Sequence, residues 1–372
     1  MWLFSVDRVS GFIPMALLPL ATPPRRLCLL RLSAVGDVSH VLPMVRTLQA
    51  AWPQTAITWI IGRLEHSLVG DVPGVEFIIF DKARRWRAYL DLAHVLRGRH
   101  FDVLLHMQHS VRASLASLLV QADVRVGFDR ARAKDLQWLF TNARIAARPR
   151  QHVMDSFFEF AHALGVSGRE LRWDIPVPEA ARRFAEQQVP AGAPVLVVSP
   201  CSSMGYRNWT AERYAAVADY AVERHGMRVV LTGGPSAIEK GYGEAITRHM
   251  HHQALNLIGR TSLKELLALL ARAEVVLAPD SGPAHLATAV GTPVIGLYAT
   301  TNPVRARPYL SAAYVVSRYE EAVLGKYGKP VDELPFGIRV RDPGTMERIT
   351  VEEVNAMLDR LLAHRLREAT AP

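Results

Sequence analysis

The sequence predicts an α/β protein made of two doubly wound domains in tandem. In both halves of the 372-residue chain, short apolar runs alternate with helix-like segments, which is the pattern of parallel strands covered by helices. A chain of this length suits two hydrophobic cores, of roughly 150–200 residues each, rather than one. Residues 165–194 have poor periodicity and contain four prolines, so this stretch is the predicted junction between the domains.

The first series of elements starts near residue 26 and predicts an N-terminal domain over residues 25–180. A small-residue loop at 33–37 joins its first strand to its first helix. Strands are predicted at 27–32, 56–61, 76–80, 103–106 and 124–127, and helices at 38–51, 84–97, 110–119 and 152–164. Residues 1–24 are expected to be an irregular extension, because polar residues and prolines interrupt its apolar runs. No stretch there reaches the ~20 apolar residues of a membrane span.

The second series predicts a C-terminal domain over residues 190–345. Its strands are predicted at 195–199, 228–232, 274–278 and 294–298, and its helices at 211–225, 236–249, 262–271 and 284–290. An amphipathic helix at 351–367 follows, within a terminal segment at 346–368. Two such domains in tandem are expected to enclose a cleft at the carboxyl ends of both sheets.

Composition narrows the classes of partner without choosing among them. Hydrophobic residues make up 49% of the chain and charged residues 21%, which is typical of a globular protein rather than a disordered one. The excess of 44 Lys and Arg over 35 Asp and Glu favours acidic partners, such as a phosphorylated substrate, an anionic membrane or nucleic acid. Cys28 and Cys201 allow one disulfide, but two reduced cysteines are the favoured interpretation.

The hexapeptide DSGPAH at 280–285 directly follows a predicted buried strand and opens a helix. At a helix start, free backbone N–H groups and the positive end of the helix dipole create a site for an anion. Gly282 allows a ligand to approach the backbone closely, Ser281 adds a hydroxyl, and His285 follows one turn later. The alternative is an ordinary helix cap, formed by Asp280 or Ser281, with no ligand.

The loop after the first strand of the second domain has a complementary composition. Ser202 and Ser203 provide hydroxyl groups and Arg207 provides a cation, which together meet the needs of a diphosphate. Glu239 follows a Gly-Gly-Pro turn at 233–235, where a carboxylate can accept hydrogen bonds from ribose hydroxyls. The alternative for Glu239 is a solvated carboxylate at a helix start.

The first domain offers a carboxylate and a basic cluster for the predicted cleft. Asp37 follows the first strand, where it either caps the next helix or acts as a general base, and the residues alone favour neither role. Arg84, Arg85 and Arg87 surround Trp86 at a predicted helix start. Cations there oppose the helix dipole, so recognition of a phosphorylated ligand explains them better than helix stability does.

Two stretches of the sequence are similar to the signature of the family 9 glycosyltransferases, the lipopolysaccharide heptosyltransferases. They are LLRLSAVGDVSHVLPMVRTLQ at 29–49 and PDSGPAHLATAVGTPVIGLY within 275–298, at the spacing that the family shows. The resemblance runs from about residue 26 to residue 362. It implies the GT-B fold, in which two Rossmann-like domains face each other across a cleft and a C-terminal helix crosses back to the first domain. It also implies an ADP-heptose donor bound by the C-terminal domain, inversion at the anomeric carbon, and no metal or other cofactor.

The resemblance also implies roles for individual residues. Asp37 matches the proposed catalytic base, with His40 as a nearby alternative, and Glu239 matches the acidic residue assigned to the ribose. The residues that match the donor loops are Ser202, Ser203, Arg207, Asp280, Ser281, Gly282 and His285. Arg207 stands where heptosyltransferase I commonly has Lys, so the charge is retained with a different geometry.

On the acceptor side, the segment with Arg84, Arg85 and Arg87 is similar to the Arg-Trp-rich loop of heptosyltransferase I. Arg112 matches a basic acceptor-side residue of the family. A further basic loop contains Arg130, Arg132 and Lys134. The segment at 312–342, which has an unusual composition, is interpreted as a surface loop that borders the cleft.

The expected reaction is the inverting transfer of heptose from ADP-heptose to a Kdo sugar of Kdo-lipid A. The expected state is a monomer bound peripherally to the anionic cytoplasmic face of the inner membrane. Two alternatives stay open: transfer to another core acceptor, as by heptosyltransferase II or III, and a non-catalytic basic protein that binds nucleotides or nucleic acid. Nucleic acid is not expected as a partner, because no recognised motif occurs and few aromatic residues flank the basic runs. A dehydrogenase is disfavoured because no G-x-G-x-x-G follows the first strand.

Overall fold

The structure is a computed structural model that describes residues 18–370, with side chains described up to residue 367. Most of the expected extension at 1–24 therefore lies outside the described residues. Residues 18–24 form neither helix nor strand, and Leu18 and Leu20 pack against the core of the first domain.

The first half of the chain forms a parallel sheet with helices on both faces. Its strands are β1 (Arg26–Leu30), β2 (Ala56–Gly62), β3 (Val75–Phe80), β4 (His100–His106), β5 (Gln121–Gly127) and β6 (Ala143–Arg144). Its helices are α1 (Val35–Ala51), α2 (Arg63–Val69), α3 (Arg87–Leu96), α4 (Val111–Ser117) and α5 (Val153–Leu164). The strand order is β3-β2-β1-β4-β5-β6. Strand β1 is a continuous apolar run because helices bury both of its faces.

The second half repeats this arrangement after α6 (Glu179–Gln188). Its strands are β7 (Val195–Val198), β8 (Arg228–Leu231), β9 (Ala254–Asn256), β10 (Val275–Pro279), β11 (Val294–Tyr298) and β12 (Val315–Ser317). Its helices are α7 (Ala211–His225), α8 (Ala237–His249), α9 (Leu263–Ala271), α10 (Gly282–Ala289), α11 (Pro303–Ala306), α12 (Tyr319–Tyr327) and α13 (Val351–Thr370). The strand order is β12-β11-β10-β7-β8-β9. Counted within each half, both orders are the 3-2-1-4-5-6 order of a Rossmann sheet, so the predicted fold class is confirmed. The exact residue boundaries of the domains stay a prediction.

The two domains share a hydrophobic core. One cluster of buried side chains extends from Val41 of α1 to Leu267 of α9 and Leu286 of α10. Helix α1 packs directly against α10, and a side chain at Gly36 would place its Cβ 2.7 Å from Cδ2 of His285. Only glycine permits this approach of the two helix starts. The two domains are therefore in direct contact at the residues that begin α1 and α10.

Several predicted details differ from the structure. The segment at 312–342, expected to be a surface loop, contains β12 and α12 and has buried side chains of its own. Helix α1 begins at Val35 rather than residue 38, so Asp37 lies in its first turn and Pro43 in its interior. The predicted helix at 84–97 is a 3₁₀ turn at Lys82–Arg84 followed by α3, because Asp81 caps the turn and Arg85 adopts a positive φ of 50°. Strands β6, β9 and β12 were not predicted, since each is only two or three residues long.

Helix α13 is the last helix of the described chain, and it is amphipathic. Its strongest packing contacts, with α7, β11 and β12, are on the second domain. The buried face of α13 carries Val354, Leu358 and Leu361, which belong to the core of that domain. On its polar face, Asp359 accepts hydrogen bonds from the hydroxyl of Tyr220 at 2.8 Å. The apolar and the polar face of α13 thus both have partners in the second domain.

Across residues 18–370, no helix is both long and apolar enough to cross a membrane. Cys28 on β1 and Cys201 after β7 are free and buried in different domains, so the interpretation that no disulfide joins them is confirmed.

Candidate active site

A cleft of about 760 Å³ lies between the switch points of the two sheets. The loop after β1, the start of α1 and part of α2 form one wall, and the loops after β7, β8 and β10 form the other. Every residue predicted for catalysis or donor binding lines this cleft: Asp37, Ser202, Ser203, Arg207, Glu239, Asp280, Ser281, Gly282 and His285. The switch point of a doubly wound sheet is the usual ligand site, since neighbouring loops diverge there.

Asp37 is a partly exposed carboxylate in the first turn of α1. It forms an ion pair with the buried Arg31 and accepts a hydrogen bond from the Ala34 amide at 3.4 Å. Burial acts to raise the pKa of Asp37, but the charge of Arg31 and the other donors and cations nearby hold the pKa below its usual value. Asp37 is therefore ionised at neutral pH and faces the cleft.

Three imidazole rings meet where the domains join. The ring of His40 lies 4.3 Å from that of His285 and 5.5 Å from that of His152, measured between centroids. Burial lowers the pKa of all three rings, and that of His40 falls well below its usual value. His40 is thus neutral, but its ring is buried against the other two, whereas the Asp37 carboxylate is partly exposed to the cleft, and this access favours Asp37 as the base.

Arg207 and Asp280 form an ion pair on the opposite wall. Nη1 of Arg207 lies 3.2 Å from Oδ2 of Asp280 and also donates to the Asp280 carbonyl oxygen at 3.1 Å. Nε of Arg207 is buried and has no hydrogen-bond partner. Asp280 therefore holds the guanidinium in place while other donors of Arg207 remain available to an anion.

The start of α10 carries further buried polar atoms without partners. Ser281 is the N-cap residue, yet its hydroxyl makes no capping hydrogen bond and has no other partner. Nδ1 of His285 is also unpaired, and the space in front of Gly282 is open. Buried polar atoms in proteins are normally paired. Their grouping beside a helix N-terminus favours an anion-binding loop over a simple helix cap.

Glu239 and the two serines line the cleft beyond Arg207. Glu239 accepts hydrogen bonds from the Gly234 amide at 2.8 Å and from the Ser236 hydroxyl at 2.6 Å. These bonds fix the carboxylate at the start of α8, and each oxygen keeps capacity for a ligand hydroxyl. The Ser202 hydroxyl lies 2.9 Å from the Met204 carbonyl oxygen within its own loop, whereas Ser203 is exposed to the cleft.

The predicted acceptor arginines lie at the margin of the cleft and do not line it. Arg84, Arg85 and Arg87 are exposed in the segment between β3 and the first turn of α3. Arg112 lies beside them at the start of α4, where its carbonyl accepts a hydrogen bond from the Tyr89 hydroxyl at 3.3 Å. Strand β3 is two positions from β1 in the sheet, so the strand that leads to this group lies about 10 Å from the strand that leads to Asp37.

Sequence reasoning missed three arginines of the site. Arg31 positions Asp37 and is anchored by donating to the Met107 carbonyl at 2.6 Å. It was detectable as the one cation in the apolar run of the first strand. Arg305 of α11 and Arg339 line the cleft but belong to no recognisable motif, and tertiary structure alone brings them there.

The lining residues define the chemistry available in the cleft. The ionised Asp37 lies on one wall. Arg207, Arg305, Arg339 and the N-terminus of α10 lie on the other. This arrangement suits proton removal on one side and stabilisation of an anionic leaving group on the other. In the part of the chain that the structure describes, no group of three or more His, Cys, Asp or Glu side chains is placed to hold a metal ion.

The fold and the cleft define a two-domain transferase of the nucleotide-dependent class. Comparison with known proteins agrees, because the profile of glycosyltransferase family 9 (heptosyltransferase) matches residues 89–330. The chain is 41% identical over 345 residues to the lipopolysaccharide core heptosyltransferase OpsX of Haemophilus influenzae, which covers 92% of this chain and 99% of that relative. The protein therefore belongs to glycosyltransferase family 9.

Solved structures agree on the fold. A family 9 glycosyltransferase from Veillonella parvula has a TM-score of 0.76 at 23% identity, over 91% of this chain and 97% of that one. The heptosyltransferase WaaC of Escherichia coli, solved with ADP, has a TM-score of 0.69 at 20% identity, over 90% and 99% of the two chains. The GT-B arrangement of two facing domains is thus confirmed.

Proposed function

We propose that this glycosyltransferase transfers heptose from ADP-heptose to a Kdo sugar of Kdo-lipid A in the lipopolysaccharide inner core. In this proposal the anomeric carbon is inverted and Asp37 is the general base. One observation carries the proposal: an ionised Asp37 faces Arg207 and the N-terminus of α10 across a single cleft. The similarity to a lipopolysaccharide core heptosyltransferase supports the sugar and the class of acceptor.

The second-domain wall has the features that an ADP-sugar requires. Glu239 is fixed where it can accept hydrogen bonds from ribose hydroxyls, and Leu263 and Leu266 line the same cleft as an apolar surface for a base. Arg207 and Ser281, together with the free amides that begin α10, suit the diphosphate. The WaaC structure with ADP supports this choice of nucleotide.

The reaction follows from charges on the two walls. Asp37 takes the proton of the acceptor hydroxyl while that oxygen attacks the anomeric carbon from the face opposite the diphosphate. The sugar ring passes through an oxocarbenium-like transition state, as in glycoside hydrolysis. Negative charge then develops on the leaving ADP, where Arg207, Arg305 and the α10 amides stabilise it. Held in this way, the diphosphate leaves without the help of a metal ion.

We also propose that the protein meets the membrane through an exposed surface of the first domain, called the arginine face here. It combines arginines with large exposed apolar side chains: Arg84, Arg85, Arg87, Arg112, Trp86, Leu90, Val111, Leu115, Leu118, Trp138 and Leu139. The face is continuous, because α3 and α4 are linked through Tyr89 and α4 packs against the turn at Gln137–Phe140. Apolar side chains among arginines suit the anionic cytoplasmic face of the inner membrane, from which Kdo-lipid A projects.

A transfer assay tests the reaction. Purified protein is given ADP-heptose with Kdo₂-lipid A, with lipid A lacking Kdo, or with a core that already carries one heptose. ADP release matched by one added heptose is expected with Kdo₂-lipid A, and none with lipid A lacking Kdo or with UDP-glucose as donor. Transfer only to the heptose-bearing core would replace the proposed acceptor with that of a type II or III enzyme. No transfer to any acceptor would contradict the proposal.

The acceptor role of the arginine face is tested by replacing Arg84, Arg85 and Arg87 with Ala together. We expect the KM for Kdo₂-lipid A to rise at least about tenfold, since charge-assisted contacts contribute about 1.5–3 kcal/mol each, and the KM for ADP-heptose to stay unchanged. Co-sedimentation with anionic vesicles should weaken as well. The matched control removes three exposed arginines elsewhere: Arg182, Arg183 and Arg224. A rise in the donor KM alone would reverse the assignment of the two domains.

A further inference from the structure

A second cavity, of about 460 Å³, lies beside the catalytic cleft. Five of its eight lining residues are cationic and none is acidic: Lys134, Arg305, Lys326, Arg339 and Arg341. Arg305 and Arg339 also line the catalytic cleft, so the two spaces share a wall. Lys134 comes from the first domain and the other four cations come from the second. The cavity therefore adjoins the reaction site and spans both domains.

Most of these charges are not neutralised by the protein. Lys326 pairs with Asp342 at 2.6 Å. The other four cations form no ion pair with a carboxylate of residues 18–367. Burial lowers the pKa of Arg305, and the neighbouring Arg339 adds to this, whereas Asp37 opposes it. Like charges held together in a partly enclosed space repel each other, and a bound anion would relieve that repulsion.

Three of the cations, Lys326, Arg339 and Arg341, come from the segment at 319–341, which has a small core of its own. Tyr319, Val323 and Val340 are buried together, with Ile338 packed against them. The hydroxyl of Tyr319 donates to the carbonyl of Ile338 at 2.8 Å, and that of Tyr327 donates to the carbonyl of Arg339 at 2.9 Å. These bonds hold residues 336–341 in place. Val340 points into the small core while Arg339 and Arg341, on either side of it, line the cavity.

We propose that this cavity binds a phosphate group carried by the acceptor, an inference that rests on the proposed transfer reaction. A phosphate carries up to two charges and three acceptor oxygens, which matches several guanidinium groups. A single carboxylate would leave at least three of the cations uncompensated. Because Arg305 and Arg339 line both spaces, a phosphate held here adjoins the cleft in which Asp37 would take the proton of the acceptor hydroxyl. The cavity thereby positions the acceptor and selects for its phosphorylation.

The test uses residues that line this cavity and not the catalytic cleft. The double variant Lys134→Gln/Arg341→Gln removes two cations, and Arg248→Gln/Arg360→Gln removes two exposed ones elsewhere as the control. Transfer is measured with one acceptor preparation before and after phosphatase treatment. Wild type and control should prefer the untreated acceptor at least about tenfold in kcat/KM. The double variant should lose most of that preference, with any remainder due to the arginine face, while keeping its kcat/KM for the treated acceptor and its KM for ADP-heptose. An unchanged preference, or equal losses on both acceptors, would overturn the proposal.

A binding measurement distinguishes a site for free phosphate from a site for phosphate carried by the acceptor. It does not depend on the transfer reaction. Inorganic phosphate is titrated by calorimetry into each protein saturated with ADP, which occupies the donor wall. Wild type and control should bind it at least about tenfold more tightly than Lys134→Gln/Arg341→Gln. Equal binding by all three proteins would overturn the anion site. Binding of free phosphate without any preference for the untreated acceptor would overturn the acceptor role. If no acceptor is used at all, the proposed transfer fails, while the titration still decides whether the cavity takes phosphate.

Discussion

At Asp37, burial and charge act in opposite directions. A carboxyl group at the junction of two domains would ordinarily gain a raised pKa, and Arg31 reverses that tendency from within the first domain. Arg31 is in turn held by the Met107 carbonyl at the end of β4. Asp37, the proposed base, is therefore kept ionised mainly by its own domain, and the second domain adds weaker contributions from His285 and Arg305.

The effect of Arg31 on the pKa of Asp37 predicts the pH dependence of the reaction. A base must be ionised, so activity is lost as the pH falls through the pKa of Asp37, which lies below its usual value of 3.8. We expect kcat/KM to show no acid limb from Asp37 above about pH 5 in the wild type. Arg31→Gln leaves the burial and removes the main opposing charge, so the acid limb should move to higher pH. Arg31→Lys should retain a profile close to wild type. If the pH profile of Arg31→Gln coincides with that of the wild type, the ion pair between Arg31 and Asp37 is not what lowers the pKa of Asp37.

The sequence largely predicts which residues line the cleft, but it does not predict which of their side chains contact each other. The donor loops could be found because Ser, Gly, Asp and Arg follow apolar strands at fixed places, and all of the residues so named line one cleft. The pairing of Arg207 with Asp280 was not foreseen, because the two are 73 residues apart in sequence. The same holds for Arg305 and Arg339, which lie in no local pattern.

Among the elements, the starts of α1 and α10 matter most because they touch across the domain boundary. Gly36 permits that contact, since a Cβ there would lie 2.7 Å from His285 and 3.6 Å from the Cα of Gly282. The small residues before α1 predict a helix start, although the pattern places the first turn of that helix in the preceding loop. The strands in the middle of each sheet were predicted because both of their faces are apolar, whereas the short edge strands β6, β9 and β12 carry too few residues for a pattern.

Gly36→Ala tests the role of this helix contact. The added methyl group should push α1 away from α10, lower the free energy of unfolding by about 1–3 kcal/mol and reduce turnover by roughly 10²-fold, because Asp37 moves with the helix. The matched control is Gly241→Ala in α8, where no atom lies within 4 Å of the added methyl. For Gly241→Ala we expect unchanged turnover and a free energy of unfolding that rises by up to about 1 kcal/mol. Denaturant unfolding and steady-state rates measure both, and identical behaviour of the two variants would argue against the contact.

For the whole molecule, the repeated Rossmann order places one half of the proposed reaction on each domain. The first domain contributes Asp37, the proposed base, and the arginine face, and the second contributes the proposed donor loops and most of the second cavity. Contacts such as the 2.7 Å ion pair between Lys264 and Asp71 join the two halves. The tandem fold was predictable from the alternation of strands and helices. The packing of α13 on the second domain was not, because an amphipathic pattern shows that a face is buried without showing against what.

The central proposal is that the first domain supplies the base and the second domain binds the donor. One paired measurement tests it most directly. The affinity for ADP-heptose, by calorimetry, and the single-turnover rate of ADP release are determined for Asp37→Asn and Arg207→Gln. Asp37→Asn should bind the donor like the wild type and react roughly 10²–10⁴-fold more slowly, as expected for loss of a general base. Arg207→Gln should bind the donor at least about tenfold more weakly, because it loses a charge-assisted contact to the diphosphate. Near wild-type turnover in Asp37→Asn, or loss of donor affinity there instead of in Arg207→Gln, would contradict the proposed mechanism.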